Sequence, residues 1–376
     1  MPKDNTILIE GKFGDGAPEQ PKDERDIAFG SSAPFDWALG FDIELLLGYR
    51  ATCKDVTEFF GQRGREGWGV DRYREIVAII KEKNIQPFKI PVKMQGASSS
   101  CTGQGDTYYL SVLNFIETGE WVEISARDVY AYISVGFGKG AYLRDAMKLN
   151  VNRGIGTEKL VPCYHELQMS YGIVKNPYNE TEYLVKPEET EELTECREML
   201  QAKEYQSIGG AGEYRMDAMA WGMLMGFGVY FAVNGQNGKG WMTEYPQVPD
   251  VREWGHALFG GKAFLENGEK IISPINSWGT SVGVDGWQKL KKDYFITNNV
   301  RDPWTLIDKD NNWNMTKSNV KIIKDKNSPA CGIWLPALSP EALESYCLNF
   351  GIEVPKKDNG EIDWEKWIDG KLELNN

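Results

Sequence analysis

The stretch Gln95-Gly96-Ala97-Ser98-Ser99-Ser100-Cys101 puts a thiol at the seam between an extended run (Ile90, Pro91, Val92) and a helix-periodic one beginning at Tyr108. A thiol ionises readily at a helix N-terminus beside an imidazole, its pKa falling from about 8.5 to as little as 3 to 4. Only two histidines are available, His165 and His256. His256 opens the strand-like "HALFGGKAFL", and 20 residues later Asn276 begins "NSWGTSVGVDGW", a side-chain amide beside a tryptophan. His165, in "VPCYHELQ", sits in no catalytic pattern and reads as a structural or surface residue. Cys101 and His256 are therefore read as a nucleophile and its proton partner.

The elements around these residues must bring them together. Pro87 and Pro91 keep residues 85–93 extended. A helix is expected from Cys101 to about Ile116, ended by Thr118-Gly119, with Gly103 and Gly105 weakening its start by about 1 kcal/mol each. Ser125 to Asp128 read as a capping box opening a second helix. A third helix runs from Tyr142 to about Asn150 and stops at Gly154. Upstream, Asp71 is expected to cap a helix carrying Ile76, Val77, Ile79 and Ile80, with Asn84 as its stop. The acidic run "KPEETEELTECREML" reads as a solvated helix face. "MDAMAWGMLMGFG" reads as a buried helix, followed by strands in "VYFAV", "HALFGGKAFL", "KIISPINSWG" and "GWQKLKK". Helices first and antiparallel strands second indicate an α+β chain whose two lobes meet at a cleft.

Composition narrows the function. The 376 residues carry 42 basic and 55 acidic side chains, a net charge of −13, which argues against nucleic acid or an anionic membrane as the main partner. No apolar run is long enough to span a bilayer, and no secretory signal pattern is visible, so a cytoplasmic or particle-associated location is expected. Six cysteines without a CxxC exclude a zinc finger. The spacing Asp308-x-Asp310-x-Asn312 resembles a calcium loop, but Trp313 and Asn319 stand where Gly and Glu are needed, so a hairpin turn over "WTLIDKDNNWNM" is the better reading. No metal or cofactor is called for. Near the C-terminus Ser339-Pro340 begins a helix that Gly351 ends, and Trp364, Trp367 and Ile368 share a helical spacing.

Four ordered pieces resemble the papain-like cysteine peptidases: Gln95-Gly96 six residues before Cys101, His256-Ala257, the block Asn276-Ser277-Trp278-Gly279 to Gly286-Trp287, and, more weakly, Gly140-Ala141-Tyr142. The resemblance covers roughly residues 85–300 and implies a papain-like two-lobed fold, a helical left lobe facing an antiparallel β-barrel-like right lobe across an active-site cleft. It implies a Cys101 thiolate paired with a His256 imidazolium, Asn276 orienting the ring, and Gln95 with the Cys101 backbone N–H forming the oxyanion hole. Trp278 would shield the Asn–His contact and help line the leaving-group side. Gly140, Ala141, Tyr142, Leu143, Ala232 and Ala257 would meet a peptide or protein substrate.

Departures accompany the likeness. Ser98 replaces a family cysteine, Thr102 replaces the tryptophan after the nucleophile, and Val282 stands at the second tryptophan of the Asn block. The pattern divides the chain into an N-terminal extension (1–84), a peptidase domain (85–300) and a C-terminal extension (301–376). The first 84 residues would be an inhibitory prosegment, an integral part of the fold or a docking arm. Asp36-Trp37 matches a pair near the start of mature family members. The leading expectation is a cysteine endopeptidase. Its rivals are an amidase or transpeptidase on cell-wall peptides, disfavoured by Ser100 where Asp is needed, and a catalytically weak or inactive papain-like scaffold with a structural or binding role in a larger phage or bacterial assembly. A protein partner is expected at the terminal extensions.

Overall fold

A computed structural model describes residues 16–21, 28–29, 34–169 and 172–307. Its centre is the Cys101–Thr118 helix, which ends at Gly119 with φ 81°. Tyr108, Tyr109, Val112 and Phe115 are buried along it. The two glycines that weaken its propensity are where neighbours come closest. A Cβ at Gly103 would stand 2.5 Å from Ala126 O, and one at Gly105 2.9 Å from the Tyr230 ring. What the helix loses in propensity it regains in close packing against both a helix and the sheet.

The second and third helices are Ala126–Ile133 and Leu143–Asn152. Only half of the expected capping box forms. Ser125 Oγ accepts from Asp128 N at 3.1 Å, but the Asp128 carboxylate turns away to accept from Gly156 N at 2.7 Å and from Arg197. Gly154 takes φ 77° as the stop requires. Asn84, at φ 51°, ends the Val70–Lys83 helix as expected, whereas Asp71 lies inside its first turn and Gly69 is the cap. The acidic helix, Glu191–Met199, is solvated except at Leu193, Cys196 and Arg197.

The second lobe is an open sheet. Its strands run, in spatial order, Ala28–Phe29, Glu204–Ile208, Val300–Ile307, Val229–Gly235, Trp254–Glu266, Glu269–Ile275 and Leu290–Lys291. Phe41–Asp42 adds to the far end of the Trp254–Glu266 strand. All these pairings are antiparallel except the first. The expected "GWQKLKK" strand is shorter than its alternation suggests, because the chain turns into a helix at Lys292. The Glu213–Gly226 helix packs on the sheet with Met216, Met219 and Met223 fully buried. An unanticipated hairpin, Tyr164–Met169 with Gly172–Pro177, forms a separate two-stranded sheet. The described residues are thus α+β, with a helical lobe and a largely antiparallel, barrel-like lobe that does not close.

Packing crosses both expected domain limits. Leu46, Leu47, Phe59 and Ile76 belong to the same core as Tyr109 and Phe227. Arg50 Nε donates to Ile116 O at 2.6 Å. Past residue 300, Trp304 and Leu306 lie in the interior of the sheet. The described residues all fall within one compact unit. The rest of the expected "WTLIDKDNNWNM" hairpin, the Asp308 spacing and the helices near Ser339 and Trp364 lie outside the described residues. No described helix is long and apolar enough to cross a membrane.

Candidate active site

Cys101 is the first residue of its helix, and its side chain is 1% exposed. The backbone N–H of Ala257 donates to its Sγ at 3.4 Å, which seats the sulfur against the strand residue next to His256. That strand is held in register by Val233 opposite His256 and Ala232 opposite Ala257. His256 Nε2 and Asn276 Oδ1 are 2.9 Å apart. The amide is fixed from every side. Asn276 N donates to Gly286 O at 2.8 Å, its carbonyl accepts from Tyr108 OH at 3.2 Å, and its Nδ2 donates to Gln288 Oε1 at 2.8 Å.

Aromatic rings enclose the imidazole. Trp278 lies 4.4 Å from it centroid to centroid, with Trp241 at 6.2 Å and Trp254 at 6.5 Å. Val282, where the sequence lacks its expected tryptophan, is fully buried. Shielding comes instead from Trp241 and Trp254. Burial lowers the His256 pKa to about 4, and the Asn276 hydrogen bond only partly opposes it. His165 is on the surface against Glu182 and Tyr178.

Gln95 is stitched to the Asn276 block. Its N–H donates to Ser277 O at 2.8 Å, its Oε1 accepts from Ser277 Oγ at 2.6 Å, and its Nε2 donates to Ser98 O at 2.8 Å. Neighbouring Met94 bridges to Trp278. Glu180, almost fully buried, fastens the loop before Cys101 from below. It accepts from Ser99 N at 2.6 Å, Tyr130 OH at 2.8 Å and Gly138 N at 3.0 Å. The sequence reading missed Ser277, Gln288, Trp241, Trp254 and Glu180. The legible signal for Gln288 was a polar residue on the same face of an alternating segment as the buried Leu290.

The residues expected to meet substrate fall into two groups. Ala257 reaches the sulfur through its backbone N–H, whereas Ala141, Leu143 and Ala232 are fully buried, Gly140 is buried and Tyr142 is half-buried. The segment 16–21 of this same chain lies against Ala141, Gly255 and Thr102. Ala141 N donates to Gly16 O at 3.3 Å, Ala17 N to Gly255 O at 3.2 Å, and Thr102 Oγ1 to Gly16 O at 2.9 Å. Arg301 and Arg252 both donate to Ala17 O, at 3.0 and 3.3 Å. Farther on, Arg144 N donates to Gln20 Oε1 at 2.7 Å. Ala17 is fully buried.

A helical lobe packed against a largely antiparallel sheet in this arrangement is the papain-like cysteine protease fold. Among solved structures the chain is similar to xylellain, a cysteine protease from Xylella fastidiosa, at 16% identity and TM-score 0.55 over 80% of this chain and 99% of that one. It is also similar to the digestive procathepsin L2 proteinase of the Tenebrio molitor larval midgut, at 16% identity and TM-score 0.51 over 78% of each chain. The likeness is one of fold. No family model and no curated protein matches the sequence.

Proposed function

We propose that the chain is a papain-type cysteine peptidase that cuts peptide bonds through an acyl-enzyme and is held latent by its own residues 16–21. The carrying observation is the pairing of His256 Nε2 with Asn276 Oδ1 at 2.9 Å while Ala257 N holds Cys101 Sγ at 3.4 Å. With Nε2 committed to the amide, Nδ1 is the nitrogen left to exchange a proton with the thiol. The thiolate attacks the scissile carbonyl carbon, and the electron pair moves onto oxygen. Gln95 uses one amide N–H on Ser98 O and keeps the other for that oxyanion, alongside the Cys101 backbone N–H at the helix start. As the tetrahedral centre collapses, the imidazolium protonates the leaving amine and a thioester remains. His256 then takes a proton from water, hydroxide displaces the thiolate, and the acid leaves.

Latency follows from the same contacts. A substrate needs the N–H of Ala141 and the carbonyl of Gly255, both used by Gly16 and Ala17. A neutral imidazole, with its pKa at about 4, also disfavours the thiolate–imidazolium pair while the cleft is covered. The test is labelling by a thiol-directed epoxide and hydrolysis of a peptide library, by the full chain and by a chain lacking residues 1–33. The trimmed chain should react at Cys101 and cut peptides, and Cys101→Ala should do neither. A trimmed chain that folds but shows no Cys101-dependent labelling overturns the reading.

A further inference from the structure

We infer that Gln288 is a positioning residue that sets the tautomer of His256 by acting through Asn276. The inference deepens the peptidase reading by naming what holds its proton-transfer group in working form. A primary amide is ambiguous, since a half-turn exchanges its acceptor oxygen for its donor nitrogen. Asn276 could therefore offer His256 either end, and the histidine would answer with the opposite tautomer.

The ambiguity is removed at the far end of a chain of hydrogen bonds. Gln288 is fully buried, and its Nε2 donates to Trp241 O at 2.6 Å and Thr243 O at 3.3 Å. Backbone carbonyls only accept, so the NH2 of Gln288 must face them. Its Oε1 must then face Asn276, where it accepts from Nδ2 at 2.8 Å. An amide oxygen also only accepts, so Asn276 must present Nδ2 to Gln288 and Oδ1 to His256. The ring nitrogen 2.9 Å from Oδ1 is therefore the one that carries the proton. Two carbonyls in the 241–243 loop, through two amides, decide which imidazole nitrogen is bare.

Neither amide can slip from the relay. Gln288 N donates to Pro274 O at 2.9 Å, and its carbonyl accepts from Ser273 Oγ at 2.7 Å. The loop at the far end also carries Trp241, one of the rings around His256. Shield and tautomer therefore depend on one segment. An apolar side chain at 288 would leave Nδ2 of a buried amide without its acceptor and free the amide to turn.

Nitrogen NMR of isotope-labelled histidine in the full chain tests this, because the two rings are told apart by His165→Gln. At a pH that leaves the ring neutral, His256 should show a protonated Nε2 and a bare Nδ1. Gln288→Glu should keep that pattern, since a carboxyl oxygen also accepts from Nδ2. Gln288→Leu and Gln288→Met should lose it, the two nitrogen shifts converging as tautomers mix. Apolar variants that fold and keep the wild-type pattern would overturn the inference. So would a wild-type ring protonated on Nδ1, which needs no variant. The spectrum does not depend on turnover: a pinned tautomer in a protein whose trimmed form folds but never reacts with the epoxide sinks the peptidase reading and leaves the role of Gln288 standing.

Discussion

Gly16 lies directly on Cys101, where a Cβ would stand 2.5 Å from Sγ and 3.5 Å from both Gly255 O and Ser99 O. Hydrogen at that position is what lets the segment close over the thiol. Gly16→Val must move the sulfur or lift the segment, and the sulfur is backed by the first turn of its helix and by the N–H of Ala257. Overpacking of this kind costs about 1–3 kcal/mol, so the uncovered population should rise roughly 5- to 150-fold. Alkylation of Cys101 by iodoacetamide in the full chain should accelerate by a similar factor. An unchanged rate would show that residues 16–21 do not limit access.

The covered site should also respond to acid. Burial lowers the His256 pKa from 6.5 to about 4, so the covered form resists a proton that an open cleft accepts. Between pH 6.5 and 4 the open form binds more protons, and the cover weakens as pH falls. Asp302 opposes this, since its own burial and nearby Glu19 raise its pKa while Arg301 and the Gln20 backbone lower it. In a chain lacking residues 1–33 the His256 midpoint should rise well above about 4, because solvent reaches the ring and an ionised Cys101 favours the imidazolium. Equal midpoints in the two proteins would mean the rings alone desolvate the histidine.

The oxyanion side should separate turnover from binding. Gln95→Ala removes a donor aimed at charge that develops only during attack, and kcat should fall about 10²- to 10³-fold with KM nearly constant. Ser277 acts one bond further out, by donating to Gln95 Oε1. Ser277→Ala should cost less, on the order of tenfold, because Ser98 O still holds Gln95 Nε2. Steady-state kinetics on the trimmed chain decides it. A Ser277→Ala loss equal to that of Gln95→Ala would assign the serine a direct role.

Local signals were legible where one residue controls one event. Asn84 stops its helix in the left-handed conformation, and Ser125 caps the Ala126–Ile133 helix as its position promised. The proposed set Cys101, His256 and Asn276 stood out because the chain has only two histidines and because the residues around all three resemble the papain-like peptidases. Gly103 and Gly105 misled, since propensity counts the lost Cβ but not the approach of Ala126 and Tyr230 that its absence permits. The contacts of Gly16 were invisible for a related reason. A polar, glycine- and proline-bearing stretch reads as a loose arm, and its ordering comes entirely from groups scattered from Thr102 to Arg301. Trp241 and Trp254 replace a shield missing at Val282. Such compensation from elsewhere in the chain leaves no local trace.

Asp106, in the Cys101 helix, gives the last prediction. It is wholly buried, with Oδ1 accepting from Asn150 Nδ2 at 2.7 Å and Oδ2 lacking a hydrogen-bond partner among the described residues. Burial raises its pKa to about 7, against the smaller opposing effects of Asn150 and Lys93. A raised carboxyl means the folded state keeps a proton that the unfolded chain has lost. Stability therefore falls as pH climbs from 3.8 to about 7, at up to about 1.4 kcal/mol per unit. Asp106→Asn cannot titrate and preserves the bond from Asn150. Its stability relative to wild type should grow by on the order of 2 kcal/mol between about pH 5 and about pH 8. The His256 contribution, opposite in sign, is common to both proteins and cancels in the difference. Urea unfolding at the two pH values measures it, and a difference that stays constant would mean Asp106 is ionised in the folded protein throughout.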